Sequence, residues 1–79
     1  RRLRGVHVAA VLREDSPNCC KFSLRSYGDL DVRSIAADLD GGGHFNAAGG
    51  TLRMPLEQAG QVLLNHIGRY LDDLKNTAR

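Results

Sequence analysis

Between Gly41 and Gly50 the chain reads Gly-Gly-Gly-His-Phe-Asn-Ala-Ala-Gly-Gly, five glycines in ten residues. Glycine loses more backbone entropy on ordering than any other residue. A run of three inside an otherwise patterned chain therefore needs a reason. One reason is a loop that turns through positive φ. Another is a backbone brought close to a ligand, its successive N–H groups forming an anion nest. His44 follows that run as a donor, and small Ala47 and Ala48 let the next segment pack tightly.

Apolar patterns on both sides of this stretch give it a scaffold. Val6 to Leu12 is a short β-branched run that predicts a strand in a mostly buried environment, with His7 on its less buried side. Arg13 to Asn18 carries turn chemistry, with Pro17 pre-setting φ. Cys19 to Ser26 then alternates: Cys20, Phe22 and Leu24 on one face, Lys21, Ser23 and Arg25 on the other. Two strands so joined predict a hairpin. The polar face is either plain solvent surface or the wall of a ligand cleft.

Asp31 is a good N-cap for a helix whose Val32, Ile35, Ala36 and Leu39 form one stripe. Gly41 is placed to end it in the left-handed region. Whether Gly43 and His44 open a new helical turn is not legible. Ala48 to Arg53 returns to the sheet, with Gly49 and Gly50 marking a bulge or close packing. Pro55 suits the first position of a last helix. Along it Leu56, Ala59, Leu63, Ile67, Tyr70, Leu71 and Leu74 trace a stripe, with Val62 and His66 at its flanks. Gly60 and Gly68 are inside this helix, and Lys75 to Arg79 is expected to fray. The order predicts a single α+β domain over residues 1–79: a small mixed sheet of about three or four strands, two covering helices, and a Gly-rich loop between helix and strand.

Composition removes several alternatives. The chain has 79 residues, a net charge of +2 and a first residue, Arg1, that reads as a fragment start. Arg1, Arg2 and Arg4 form either a solvated end or a phosphate-attracting arm. The two cysteines, Cys19 and Cys20, are adjacent and point to opposite faces of a strand, which argues against a framework disulfide. Structural zinc lacks its paired motif, and a reducing, cytoplasmic setting fits best. No apolar run is long enough to span a membrane. Asp29, Asp31, Asp38 and Asp40 surround a helix, where capping and solvation explain them, so neither a metal site nor a catalytic nucleophile is expected. What remains is recognition: Arg25, whose planar fork suits phosphate, a Gly-rich nest and His44.

Ser23-Leu24-Arg25-Ser26, a short helix and Gly-Gly-Gly-His-Phe-Asn-Ala-Ala-Gly-Gly together resemble the DHH-associated domain of the DHH phosphoesterases. That superfamily includes RecJ-type exonucleases, nanoRNA and pAp phosphatases, cyclic-di-AMP phosphodiesterases and exopolyphosphatase-related proteins. The paired motif runs from about Cys20 to Gly49, and the elements on either side match too. The resemblance implies a manganese-dependent hydrolase whose metal is held by a separate N-terminal DHH domain. This chain would be its substrate-binding domain, inactive alone, closing over short oligonucleotides or nucleotides such as pAp or linear and cyclic di-AMP. Homodimerisation would use surfaces mostly outside it. Arg25, Ser26, Gly41, Gly42, Gly43 and His44 are the implied substrate-binding residues. His44 would touch the substrate phosphate and assist at the scissile group. The family often has a basic or small residue after the motif histidine, where this chain has Phe45, a candidate for base stacking or packing. A second reading is a nucleic-acid-binding accessory module of the kind found in alanyl-tRNA synthetases; the Ser-Leu-Arg-Ser and Gly-Gly-Gly-His pair weighs against it.

Overall fold

In the computed structural model, which describes residues 7–77, Cys20, Phe22, Leu24 and Ser26 are the buried side of a strand and Lys21, Ser23 and Arg25 its exposed side. This strand, β2 (Cys19–Ser26), is one of two inner strands. It pairs on one side with β1 (Val8–Ser16) through the turn Pro17-Asn18, where Asn18 takes the left-handed conformation at φ 62°. On its other side lies β4 (Ala47–Leu52), followed by β3 (Gly42–His44), so the order is β1-β2-β4-β3. Helices α1 (Val32–Asp38) and α2 (Leu56–Thr77) complete the α+β architecture.

The sheet is antiparallel at every pairing, not mixed. The reason lies in the strand order. Helix α1 returns the chain so that β3 runs in the direction of β2, but β4 inserts between the two and opposes both. Gly42 and Gly43 are likewise not in a loop or a helical turn; with His44 they form the edge strand β3. No side-chain pattern announces a three-residue strand, and glycine is depleted in strands.

Both helices pack on one face of the sheet. Val32, Ile35 and Ala36 of α1 and Ala59 and Leu63 of α2 meet Cys20, Phe22, Leu24 and Leu52 in one buried cluster. Fully burying a Val, Leu, Ile or Phe side chain contributes about 1.5–3 kcal/mol. Asp31 caps α1 as expected, its carboxylate accepting the Ser34 N–H at 3.2 Å. Its own N–H donates to the Tyr70 hydroxyl at 2.8 Å, which fastens the start of α1 to α2. His66 lies half-buried at the flank of the α2 stripe, Nδ1 3.0 Å from the Val62 carbonyl oxygen.

Several local expectations change. Strand β1 runs on to Ser16 and is largely exposed, with only Val8 and Leu12 half-buried, because it is an edge strand that α2 covers in part. Its pairing with β2 overrides the turn-like composition of Arg13 to Ser16. The register shift falls between Glu14 and Ser16, while Gly49 and Gly50 pair without a bulge. Gly49 and Gly50 instead allow close packing: a Cβ on Gly49 would strike the Phe22 carbonyl oxygen, and one on Gly50 would lie 3.0 Å from the Phe22 ring. Pro55 sits one residue before α2, its carbonyl accepting the Ala59 N–H at 2.9 Å. Helix α2 extends through Lys75 to Thr77. Arg1, Arg2, Arg4, Val6, Ala78 and Arg79 lie outside the described residues.

The expected left-handed end of α1 at Gly41 is taken by Asp40, at φ 64°. The Asp40 N–H donates to the Ala37 oxygen at 3.0 Å and the Gly41 N–H to the Ala36 oxygen at 2.7 Å. This is a Schellman closure with aspartate in the left-handed position. Gly41 serves a different end. A Cβ there would collide with the Gly49 carbonyl oxygen, so glycine lets the helix exit lie directly on β4.

Candidate phosphate-binding face

The face of the sheet opposite the helices carries the polar residues. Strand register arranges them in rows, since side chains alternate between faces. One row runs Ala9, Arg25, Ala47, His44 across all four strands, and the next runs Val11, Ser23, Gly49, Gly42. Arg25 and His44 are thus on one face, separated by the single strand β4. Two strand spacings put their Cα atoms about 10 Å apart. Between them lies only the methyl of Ala47, and Gly42 and Gly49 leave the adjoining row bare. The result is a shallow hollow of about 330 Å³ whose lining includes Ser23, Arg25, Gly42, Gly43, Ala47 and Gly49. It is a floor of small residues with the Arg25 cation at its side; His44 is on the same face by register but does not line the hollow. Because β3 is an edge strand, alternate N–H groups point away from β4.

The triple glycine is not a set of equivalent residues. Gly43 has φ 142°, and a Cβ on it would lie 2.6 Å from the Ala48 Cα and 2.7 Å from the Ala47 oxygen. Gly41 is required by its approach to Gly49. Gly42 is exposed, avoids positive φ, and a Cβ there would meet nothing within 4 Å. The fold therefore needs Gly41 and Gly43 but has no need of Gly42.

Ser26 is separated from the others. It is 8% exposed, on the core face, and its hydroxyl donates to the Leu30 oxygen while accepting from Asn46 Nδ2 at 2.9 Å. Asn46 also donates to the Gly28 oxygen at 3.2 Å, and the Ser26 N–H donates to the Asn46 oxygen at 3.1 Å. The Val32 N–H donates to the Phe45 oxygen at 2.9 Å. These bonds fix the Phe45-Asn46 turn that carries His44, so Ser26 and Asn46 hold the face in shape from behind. The sequence reading did not single out Asn46; nothing in its local pattern shows that its partners lie near residue 26.

Cys20 and Cys19 carry free thiols. Cys20 donates to the Met54 oxygen at 3.4 Å, and burial, then Glu14 and Cys19, pushes its thiol above the ordinary range. A thiol held protonated in the core is not a nucleophile. Among the described residues no group of three or more His, Cys, Asp or Glu side chains is arranged to hold a metal ion. Nor is any described helix long and apolar enough to cross a membrane.

Comparison with known proteins finds the DHHA1 domain over residues 1–77. The bifunctional oligoribonuclease and PAP phosphatase NrnA of Thermus thermophilus is 38% identical over 72 residues, 90% of this chain and 22% of that protein. A membrane protein–large ribosomal subunit bL9 fusion protein of Onion yellows phytoplasma is 35% identical over 46 residues, 58% of this chain and 5% of its own length. Among solved structures, an exopolyphosphatase-related protein from Bacteroides fragilis superposes with a TM-score of 0.76 at 38% identity, covering 86% of this chain and 20% of that one. The chain thus spans about a fifth or less of the length of each of these proteins.

Proposed function

The chain belongs to the DHHA1 domain family, and from that membership we propose that it is the phosphate- and nucleotide-recognition domain of a DHH phosphoesterase. The substrates of this reading are short oligonucleotides or nucleotides such as pAp and linear or cyclic di-AMP. In this reading the manganese and the hydrolytic chemistry are supplied by a DHH domain, and this chain supplies substrate binding. The free thiols suit a cytoplasmic setting.

This chain's own part is to bind and orient. Arg25 presents a planar fork of donors to phosphate oxygens, a charge-assisted contact about twice as strong as a neutral one. His44 donates from the far side of the row. Ala47, Gly42 and Gly49 keep the floor low enough for the phosphate to reach the main chain. Holding a phosphoryl group from two sides fixes its approach to a reacting partner, which is how a binding domain raises a rate without touching the bond that breaks.

The observation that carries the reading is Gly42. It has an ordinary φ and empty space around it, yet it lies on the face shared by Arg25 and His44. A glycine that the fold does not need, in front of a cation and an imidazole, suits a ligand that approaches the backbone closely. The test is to place Gly42→Ala, Arg25→Ala and His44→Ala in the longer enzyme carrying this domain. Gly42→Ala should leave the melting temperature unchanged and lower kcat/KM for a 5′-phosphorylated diadenylate about tenfold or more. Arg25→Ala should cost about 10- to 100-fold, matching the ~1.5–3 kcal/mol of a hydrogen bond to a charged group. Wild-type kcat/KM in all three variants would rule the reading out.

A further inference from the structure

A second hollow, of about 340 Å³, adjoins the first on the open face. His7, Ala9, Arg25, Tyr27 and Ala47 line it together with Ser26 and Asn46. The two hollows share Arg25 and Ala47. Resting on the phosphate-binding reading above, we infer that Tyr27 is the stacking platform for a nucleobase, and that the open face can seat a substrate of two linked nucleotide units across both hollows. One unit's phosphate lies between Arg25 and His44. The base of the neighbouring unit lies over Ala9 and Ala47 against Tyr27.

Four observations on the molecule carry this. Tyr27 is 78% exposed, whereas Phe22 is buried in the core and Tyr70 is half-buried with its hydroxyl accepting the Asp31 N–H. Its ring therefore supports no packing of the fold. The backbone that carries it is held in place. Gly28 turns at φ 63°, the Tyr27 carbonyl accepts from the Leu30 N–H at 3.5 Å, and Asn46 binds the Gly28 oxygen. A solvent-facing aromatic on a held backbone, with only two side-chain torsions to order, loses little entropy when a flat ring is laid on it. The surface beneath is small, since Ala9 and Ala47 flank Arg25 in its row. Tyr27 follows Arg25 by two residues and lines the same hollow, so a base on one and a phosphate on the other belong to one short strand. Aromatic side chains beside a cation on an open sheet face are how proteins hold single-stranded nucleic acid without reading its sequence. The platform accordingly favours stacked length over base identity.

The experiment is an NMR titration of the 79-residue chain with inorganic phosphate, AMP and a 5′-phosphorylated diadenylate, repeated on Tyr27→Ala and Tyr27→Phe. All three ligands should shift Gly42, Gly43, His44 and Arg25. The diadenylate should also move the Tyr27 ring and the Ala9 and Ala47 methyls by ring current. Tyr27→Ala should weaken diadenylate binding about 5- to 150-fold and leave inorganic phosphate unaffected, while Tyr27→Phe keeps the wild-type affinity for both. Wild-type diadenylate affinity in Tyr27→Ala, or a diadenylate that shifts the phosphate row and leaves the Tyr27 ring unmoved, overturns the platform and leaves the phosphate reading standing. A row that answers to none of the three ligands overturns the phosphate reading and the platform with it. Equal weakening of phosphate and diadenylate in Tyr27→Ala would show a merely structural role and also overturns the platform.

Discussion

Gly42 and Gly43 are chain neighbours with opposite duties. Gly43 combines a φ that side chains rarely adopt with the backbone of β4 less than 3 Å from where a Cβ would stand. Strain at such a position costs on the order of 1–3 kcal/mol, and overpacking adds a similar amount. Gly43→Ala should therefore lower unfolding stability by at least about 2 kcal/mol in a denaturant titration. Gly42→Ala should stay within about 0.5 kcal/mol of wild type. A small effect of Gly43→Ala would mean that β3 is not pressed against β4 as described. The motif read as one nest of three glycines is thus two structural residues around one that the fold does not require.

At the level of elements, the Tyr70 hydroxyl ties α2 to Asp31, the residue that caps α1. Tyr70→Phe keeps the ring and leaves the Asp31 N–H without that partner. It should cost about 1–2 kcal/mol and lower the melting temperature; an unchanged midpoint would mean water replaces the bond at no cost. The stripes of α1 and α2 and the alternation of β2 were legible because each repeats over several turns or pleats. Strand β3 was not, since its register is set by β4 and not by its own side chains. The end of β1 was misread because Arg13 to Ser16 look like a turn until β2 is there to pair with them. For the face itself, alternation put Arg25 outward, and the same alternation puts Ser26 inward with Cys20, Phe22 and Leu24. The family motif outweighed that signal. Gly41 could not be sorted from Gly42 in one dimension, because its reason is an atom of Gly49.

The whole molecule measures 43 × 21 × 20 Å. Its long axis reflects α2, whose 22 residues extend about 33 Å. That is more than four strands, at about 4.8 Å each, can cover across the sheet. Burial follows suit: Ala59 and Leu63 are in the core, while Leu74 is 37% exposed. Amide exchange should therefore grade along α2, slowest near Leu63 and fastest from Asp72 to Thr77, with β2 as protected as the core turns. Uniform protection along α2 would show that something else covers its far end. The strand order also joins two hairpins, β1–β2 and β3–β4, along the single boundary between β2 and β4. Each hairpin closes over a few residues of chain, but their union must bridge a helix. Arg25 belongs to the first hairpin and His44 to the second. An anion gripped by both acts as a clasp across the seam where the domain would first come apart, so occupancy and cohesion rise and fall together.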